Sequence, residues 1–173
     1  VVGDGAVGLC AIIASKRLGA RKIILVGSRN PSRQRIAREL GATDIINERN
    51  ESAIKKVLEL TNGVGVDAAL ECVGTNEAMQ TAIEIARPGS VVGFVGVPHG
   101  VEISVNKIFS KNLGIRGGPA PVRALIPELI DDVLKERIKP NKVFDHVTNL
   151  DGIPEAYALM DQRKIIKPLV KVK

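Results

Sequence analysis

The sequence predicts an α/β fold in which helices cover both faces of a parallel sheet, and three observations support this prediction. Glycines at positions 3, 5 and 8 follow a short apolar run and open a helical pattern. Short apolar runs and helical patterns then alternate along most of the chain. The core must be aliphatic, because 45% of the 173 residues are hydrophobic and only 2% are aromatic. That composition suits a buried parallel sheet.

The first element is a strand that turns sharply into a helix. Gly3, Gly5 and Gly8 have the G-x-G-x-x-G spacing of a dinucleotide-binding turn. The first glycine permits the tight turn, the second lets the backbone approach a pyrophosphate, and the third allows the helix to pack closely on the strand. The pyrophosphate would bind at the N-terminus of the helix, beside the N–H groups of Ala6 and Val7.

The next elements are bounded by glycine and proline. Gly19 closes the first helix, and Pro31 suits the first position of a helix that Gly41 closes. Apolar spacing predicts helices at 6–18, 31–40, 51–61, 76–86, 123–138 and 153–160. Apolar runs between turn residues predict strands at 22–26, 43–47, 66–72, 90–95, 112–116, 143–148 and 167–172.

The two ends of the chain depart from this rhythm. Only Val1 and Val2 precede the glycine turn, so we expect a Rossmann domain, a doubly wound three-layer αβα fold, that is truncated in its first strand. Pro140 interrupts the pattern near the other end. We therefore predict an NAD(P)-binding Rossmann domain over residues 1–140 and a separate segment over 141–173.

Charge and composition restrict the classes of partner. The formal net charge is +6, but there is no basic run and almost no aromatic residue on which bases could stack, which argues against nucleic acid as a partner. Cys10 and Cys72 form no C-x-x-C pair and are predicted to be buried free thiols in a cytoplasmic protein. No signal peptide or membrane-spanning apolar run is visible.

The end of the second predicted strand indicates which cofactor is preferred. An NAD site usually places Asp or Glu there, about 20 residues after the glycine motif, but this chain has Gly27, Ser28 and Arg29. A hydroxyl and a guanidinium match the 2′-phosphate of NADP(H). Arg33 could add positive potential, although it could also belong to a solvated helix face. We therefore expect NADP(H) to be preferred over NAD(H).

Besides the glycine turn, the chain carries in order the motifs Leu40-Gly41-Ala42-Thr43-Asp44, Val66-Asp67-Ala68-Ala69-Leu70-Glu71-Cys72-Val73-Gly74, Arg87-Pro88-Gly89 and Val92-Gly93-Phe94-Val95-Gly96-Val97-Pro98. Together these motifs resemble those of the zinc-dependent medium-chain alcohol dehydrogenase family, and the similarity runs through most of the chain. Family members that use NADP often carry Gly-Ser-Arg at the second strand.

The resemblance implies further cofactor contacts. Cys72, Val73 and Gly74 would line the adenosine and ribose side of the cleft. The loop Val95-Gly96-Val97 would present main-chain groups to the nicotinamide carboxamide. Lys167 stands where the family often places a basic residue on the pyrophosphate.

The resemblance also implies an enzyme whose chemistry lies partly outside this chain. The family's zinc ligands belong to a catalytic domain upstream of the glycine turn, so we expect no catalytic or metal-binding residue here. Residues 141–173 would be the C-terminal return segment of that mostly missing domain. The intact protein would transfer a hydride between NADP(H) and an alcohol, aldehyde or ketone, and the chain alone would be inactive.

Two other functions stay open at this point. One is a zinc-free quinone or enone reductase of the same superfamily, and the other is a non-catalytic NADP(H)-sensing domain. His99, in the loop on the nicotinamide side, could approach a substrate or could simply be solvated. The resemblance also implies a homodimer joined through the edge strand near 112–116, because an exposed edge strand invites pairing.

Overall fold

The computed structural model describes residues 1–173, which form seven α-helices and seven β-strands. The helices are α1 Ala6–Arg17, α2 Pro31–Leu40, α3 Asn50–Leu60, α4 Asn76–Ile85, α5 Val105–Lys111, α6 Val122–Leu134 and α7 Ile153–Asp161. The strands are β1 Ile24–Val26, β2 Asp44–Ile46, β3 Val66–Glu71, β4 Ala86–Phe94, β5 Gly114–Gly117, β6 Phe144–Asn149 and β7 Lys167–Lys171. None of these helices has the length and apolar character needed to cross a bilayer.

The main sheet is parallel and is joined at its centre by Val2. This residue forms parallel bridges with Val26 of β1 and with Glu71 of β3. Its N–H donates to the Leu70 carbonyl at 2.8 Å, and its own carbonyl accepts from Cys72 N at 3.0 Å. The spatial order is therefore β2, β1, Val2, β3, β4, β5. The strand order reverses at Val2, and such a reversal opens a crevice at the carboxyl ends of the strands.

Helices pack on both faces of this sheet, so the predicted three-layer αβα architecture is confirmed. On one face, α1 and α2 bury Leu9, Ile12, Ile36 and Leu40 around Leu25. The core on the other face is built from α3 and α4 against β3 and β4, and it includes Val57, Met79, Ile83, Ala69 and Val92. Aliphatic side chains fill both layers, as the composition predicts.

The element boundaries differ from the prediction at three places. The seven-residue helix α5 was not predicted; Ser104 caps it and Asn112 ends it at φ 50°. The run Arg87-Pro88-Gly89 lies between the predicted helix 76–86 and the predicted strand 90–95, but in the structure it belongs to β4, where the pairing register shifts between Val66 and Ala68 of β3. A bulge of this kind absorbs residues that cannot join a regular ladder.

The last helix of the main unit is also shorter than predicted. α6 ends at Leu134 instead of 138, because Glu136 takes a left-handed φ of 53° and Arg137 bonds back to Asp131 and Asp132. The apolar residues of α6 are partly exposed: Leu125, Ile126, Leu129, Ile130 and Val133.

Residues after Pro140 form a small unit that packs against α1. β6 and β7 pair in parallel as a separate two-stranded sheet, connected by α7. Val143, in a 3-10 helix over Pro140–Val143, and Ile166, directly before β7, are buried in the core that α1 and α2 form. The change of sheet agrees with the predicted change of rhythm, and the division into 1–140 and 141–173 stays a prediction.

Candidate dinucleotide-binding site

The glycine turn uses its three glycines in two different ways. A Cβ at Gly8 would lie 1.9 Å from the Gly3 carbonyl oxygen, and a Cβ at Gly3 would lie 2.6 Å from Cγ2 of Val73. Gly3 also has a φ of 107°, which other residues rarely adopt. A Cβ at Gly5, in contrast, would meet nothing within 4 Å. Two glycines therefore allow tight packing, and the third faces open space.

The helix that follows the turn begins without a side-chain cap. Gly5 is the N-cap residue, no side chain bonds to the first N–H groups, and the first turn contains no acidic residue. Ala6 and Val7 are thus placed at an uncapped helix N-terminus, and Val7 is half exposed. Free N–H groups and the helix dipole make this a suitable site for an anion.

The turns after β3 and β4 pack against each other beside the glycine turn. A Cβ at Gly74 would lie 2.1 Å from the Val97 carbonyl oxygen, and one at Gly96 would lie 2.2 Å from Gly74 N. The Gly74 carbonyl also accepts from His99 N at 3.0 Å. The side chains of Val73, Val95 and Val97 remain substantially exposed around these contacts. The structure therefore brings together the three segments that the sequence analysis assigned to the cofactor.

Glu71 organises these turns, although it is not among the cofactor contacts predicted from the sequence. Its side chain is buried, and Oε1 accepts from Val73 N at 2.6 Å and from Gly74 N at 2.8 Å. Its backbone carbonyl accepts from Val95 N at 3.0 Å. Oε2 has no hydrogen-bond partner and lies against Gly96. An acidic residue directly after the apolar run Ala68-Ala69-Leu70 was the available sequence signal.

Asp4, inside the glycine motif, is the centre of a buried polar network. Its carboxylate accepts from Ser28 Oγ at 3.0 Å and from Arg163, and Arg33 Nη1 donates to its backbone carbonyl at 3.2 Å. Arg33 Nη2 also donates to the Ile165 carbonyl at 2.9 Å. The network therefore ties the glycine turn to α2 and to the segment that leads into β7.

This network changes the interpretation of two predicted cofactor contacts. Ser28 is fully buried and Arg33 is 5% exposed, so the alternative of a solvated helix face is wrong for Arg33. Both side chains bond to Asp4 in this structure. Their contact with a 2′-phosphate stays a prediction, and Arg33 has a second role in balancing the Asp4 charge.

The remaining predicted contacts lie at the edges of this region. Gly27 has a φ of 86°, and the neighbouring Arg29 is exposed, with Nε donating to the Asn47 carbonyl at 3.2 Å. Lys167 is exposed at the start of β7, where its N–H donates to Asp145 Oδ1 at 3.2 Å. It follows Ile165 by two residues, so it lies near the Asp4 network along the chain.

No three His, Cys, Asp or Glu side chains lie together in a group that could hold a metal ion.

Both cysteines are free, as predicted. The prediction that both are buried is wrong for Cys10, because its position on α1 faces solvent. Cys72 is partly buried, and burial raises the pKa of its thiol to about 11.

This pKa gives a prediction for the reactivity of Cys72. Below its pKa the thiolate fraction rises about tenfold per pH unit. In a Cys10→Ser variant, we therefore expect the rate of Cys72 alkylation by iodoacetamide to climb steadily from pH 8 to pH 10. Mass spectrometry of timed samples would measure it. A rate that levels off near pH 8.5 would show an ordinary thiol and contradict the prediction.

A separate groove of about 760 Å³ lies between α3 and α4. Its walls carry Glu51, Lys55, Glu77, Gln80 and Glu84, with only two hydrophobic lining residues. None of its lining residues belongs to the carboxyl ends of the strands. We therefore place the candidate site in the strand-end cleft and not in this groove.

Comparison with known proteins gives consistent matches. The family model described as zinc-binding dehydrogenase matches residues 6–135. The chain is 35% identical over 173 residues to zinc-type alcohol dehydrogenase B of Aspergillus flavus, covering 99% of this chain and 40% of that protein. It is 36% identical over 179 residues to an NADP-dependent isopropanol dehydrogenase of Thermoanaerobacter brockii, covering 98% of this chain and 51% of that protein.

The fold matches solved structures over the same extent. Alcohol dehydrogenase TADH from Thermus sp. ATN1 superposes with a TM-score of 0.90 at 33% identity, covering 99% of this chain and 51% of that one. The chain thus spans about half the length of the relatives that it matches.

Proposed function

This chain belongs to the zinc-binding dehydrogenase family, and on that premise we propose that it is the NADP(H)-binding part of an alcohol dehydrogenase. The intact oxidoreductase would transfer a hydride between NADP(H) and an alcohol, aldehyde or ketone. The observation that carries this proposal is the open space over Gly5 at an uncapped helix N-terminus. A pyrophosphate needs close backbone approach and free N–H donors, and both are present there.

The bound cofactor would supply or accept the hydride, and the chain would hold it in a fixed position. The N–H groups of Ala6 and Val7 would bind the pyrophosphate, with Lys167 adding a positive charge. Three turn residues, Cys72, Val73 and Gly74, would line the adenosine ribose. The main chain of Val95–Val97 would orient the carboxamide, and the exposed valines would keep water from the nicotinamide. Glu71, which accepts hydrogen bonds from both turns, would fix their positions relative to each other.

The preference for NADP(H) rests on the charge at the ends of β1 and β2. Neither of the two residues after Gly27 carries a carboxylate that could bind a free 2′-hydroxyl, and Arg29 offers an exposed guanidinium. Ser28 and Arg33 complete the predicted phosphate site. Arg33 and Arg163 balance the charge of Asp4, so the buried carboxylate does not repel a nearby phosphate. The similarity to an enzyme named as NADP-dependent also supports this preference.

A zinc ion is part of the proposed enzyme, and we propose that its ligands belong to the remainder of the intact protein. The finding that no three His, Cys, Asp or Glu side chains lie together in this chain supports that placement. We also propose that residues 1–140 form the cofactor-binding domain and that residues 141–173 are the C-terminal return segment of the catalytic domain. We also propose a cytoplasmic location for the enzyme.

The proposal can be tested with the intact protein and with this chain alone. We expect the intact protein to oxidise NADPH in the presence of small ketones or aldehydes, to lose activity with a chelator, and to recover it with zinc. The chain alone should bind NADPH without turnover. Activity that survives complete zinc removal would favour a zinc-free reductase. Cofactor binding by an intact protein that reduces no carbonyl compound would favour a sensing domain.

We further propose that the protein is a homodimer joined through β5. This strand is the outer edge of the sheet and pairs only with β4. Edge strands with free N–H and C=O groups invite pairing with a second copy. Multi-angle light scattering should give twice the monomer mass, and Ile115→Pro, which removes a backbone donor from the edge, should shift the mass toward the monomer. A monomeric mass at high protein concentration would contradict the proposal.

A further inference from the structure

A second arginine lies beside the end of β1, although it comes from a different loop. Arg49 follows β2 and precedes α3. Its Cγ is 3.9 Å from the point that a Cβ on Gly27 would occupy. Apart from Gly27 and its two chain neighbours, no other residue has a heavy atom within 4 Å of that point. The aliphatic stem of Arg49 therefore lies next to Gly27. Ser28 and Arg29 are the two residues that follow Gly27 in the chain.

Hydrogen bonds hold the loops after β1 and β2 together. Gln34 Nε2 donates to the Ser28 carbonyl at 2.8 Å and to Asn47 Oδ1 at 2.8 Å. Arg29 Nε donates to the Asn47 carbonyl at 3.2 Å, and Gly27 N donates to the Ile46 carbonyl at 2.9 Å. These bonds join Gly27, Ser28 and Arg29 to Ile46 and Asn47, and Arg49 follows Asn47 by two residues.

The charges of both arginines are available for a ligand. The ion pairs of the structure include neither Arg29 nor Arg49, and both residues are exposed. The adjacent acid, Glu48, is occupied by Lys56 at 2.5 Å, and that bond lowers the Glu48 pKa. Two exposed arginines without ion pairs therefore lie near Gly27, Arg29 two residues further along the chain and Arg49 through the stem of its side chain.

We propose that Arg29 and Arg49 form a two-arginine clamp for the 2′-phosphate of NADP(H), with Arg49 as a specificity determinant. This inference rests on the proposed function. A 2′-phosphate carries up to two negative charges and three terminal oxygens, so it can accept bonds from two guanidinium groups at once. A free 2′-hydroxyl offers no such charge. Arg49 therefore contributes to binding of the phosphorylated cofactor alone.

The test compares Arg49→Gln with Arg35→Gln, an exposed arginine on α2, in calorimetric titrations with adenosine 2′,5′-bisphosphate and with 5′-AMP. We expect Arg49→Gln to weaken the bisphosphate about ten- to a hundredfold, the range for a lost hydrogen bond to a charged group. Its 5′-AMP affinity should not change. Arg35→Gln should leave both affinities within about twofold. Arg49→Lys, which keeps the charge without the planar fork, should recover part of the loss.

The possible outcomes separate this inference from the proposed function. If the unaltered protein prefers NADPH to NADH but Arg49→Gln behaves like Arg35→Gln, the clamp is wrong and the function stands. Equal loss of bisphosphate and 5′-AMP affinity in Arg49→Gln also overturns the clamp. If the unaltered protein binds neither NADPH nor NADH, or does not prefer NADPH, both the clamp and the proposed cofactor preference fail.

Discussion

Gly8→Ala is expected to lower the free energy of unfolding by about 3 kcal/mol or more and to abolish NADPH binding. The added Cβ would lie 1.9 Å from the Gly3 carbonyl oxygen and 2.8 Å from its carbon. Both are backbone atoms that cannot rotate away. α1 would therefore have to move off the sheet, which disrupts the buried contacts of Leu9 and Ile12. Urea unfolding and a calorimetric titration would measure the two effects.

Gly5→Ala is the matched control, because it places the same methyl group in the same turn. Gly5 has a φ of −76°, and its Cβ would meet no atom within 4 Å. We expect its stability to stay within about 0.5 kcal/mol of the unaltered chain, while NADPH affinity falls because the methyl group occupies the space over the pyrophosphate. If Gly8→Ala unfolds at the same urea concentration as Gly5→Ala, the account of the turn is wrong.

Asp4→Ala is expected to lower the free energy of unfolding by about 3–5 kcal/mol, as removal of one partner from a buried ion pair does. Arg33 is 5% exposed and would keep its charge with only backbone carbonyls as acceptors. Arg163 would lose its carboxylate partner, and Ser28 would lose its acceptor. Urea unfolding monitored by circular dichroism would measure the change.

Asp67→Ala provides the comparison, because Asp67 also pairs with an arginine but its side chain is 91% exposed. Exposed ion pairs contribute at most about 1 kcal/mol. A loss in Asp4→Ala no larger than that in Asp67→Ala would mean that the network around Asp4 does not hold the glycine turn to α2.

The sequence was sufficient for features that depend on neighbouring residues. The glycine turn, the alternation of strands and helices, and the aliphatic core all follow from local spacing, and the structure confirms them. Gly8 is an example, because the motif alone predicts its close contact with the strand. The absent carboxylate after β1 was visible for the same reason.

The sequence was not sufficient where the partner of a side chain lies far along the chain. Asp4 and Arg163 are 159 positions apart. No local sequence pattern shows that the side chains of Ser28 and Arg33 also bond to Asp4. Arg49 contacts the Gly27 region only because β1 and β2 are neighbours in the sheet. Glu71 looks like an ordinary strand end until the fold brings two backbone N–H groups to its carboxylate.

Calorimetric titration of this chain with NADPH and with NADH, at two salt concentrations, would show whether the strand-end cleft binds NADP(H). NADPH should bind more tightly than NADH, and its advantage should shrink at higher salt, because charge on the 2′-phosphate provides the difference. NADH binding that equals or exceeds NADPH binding would contradict the assignment of the β1 and β2 ends. Absence of binding by either cofactor would contradict the site itself.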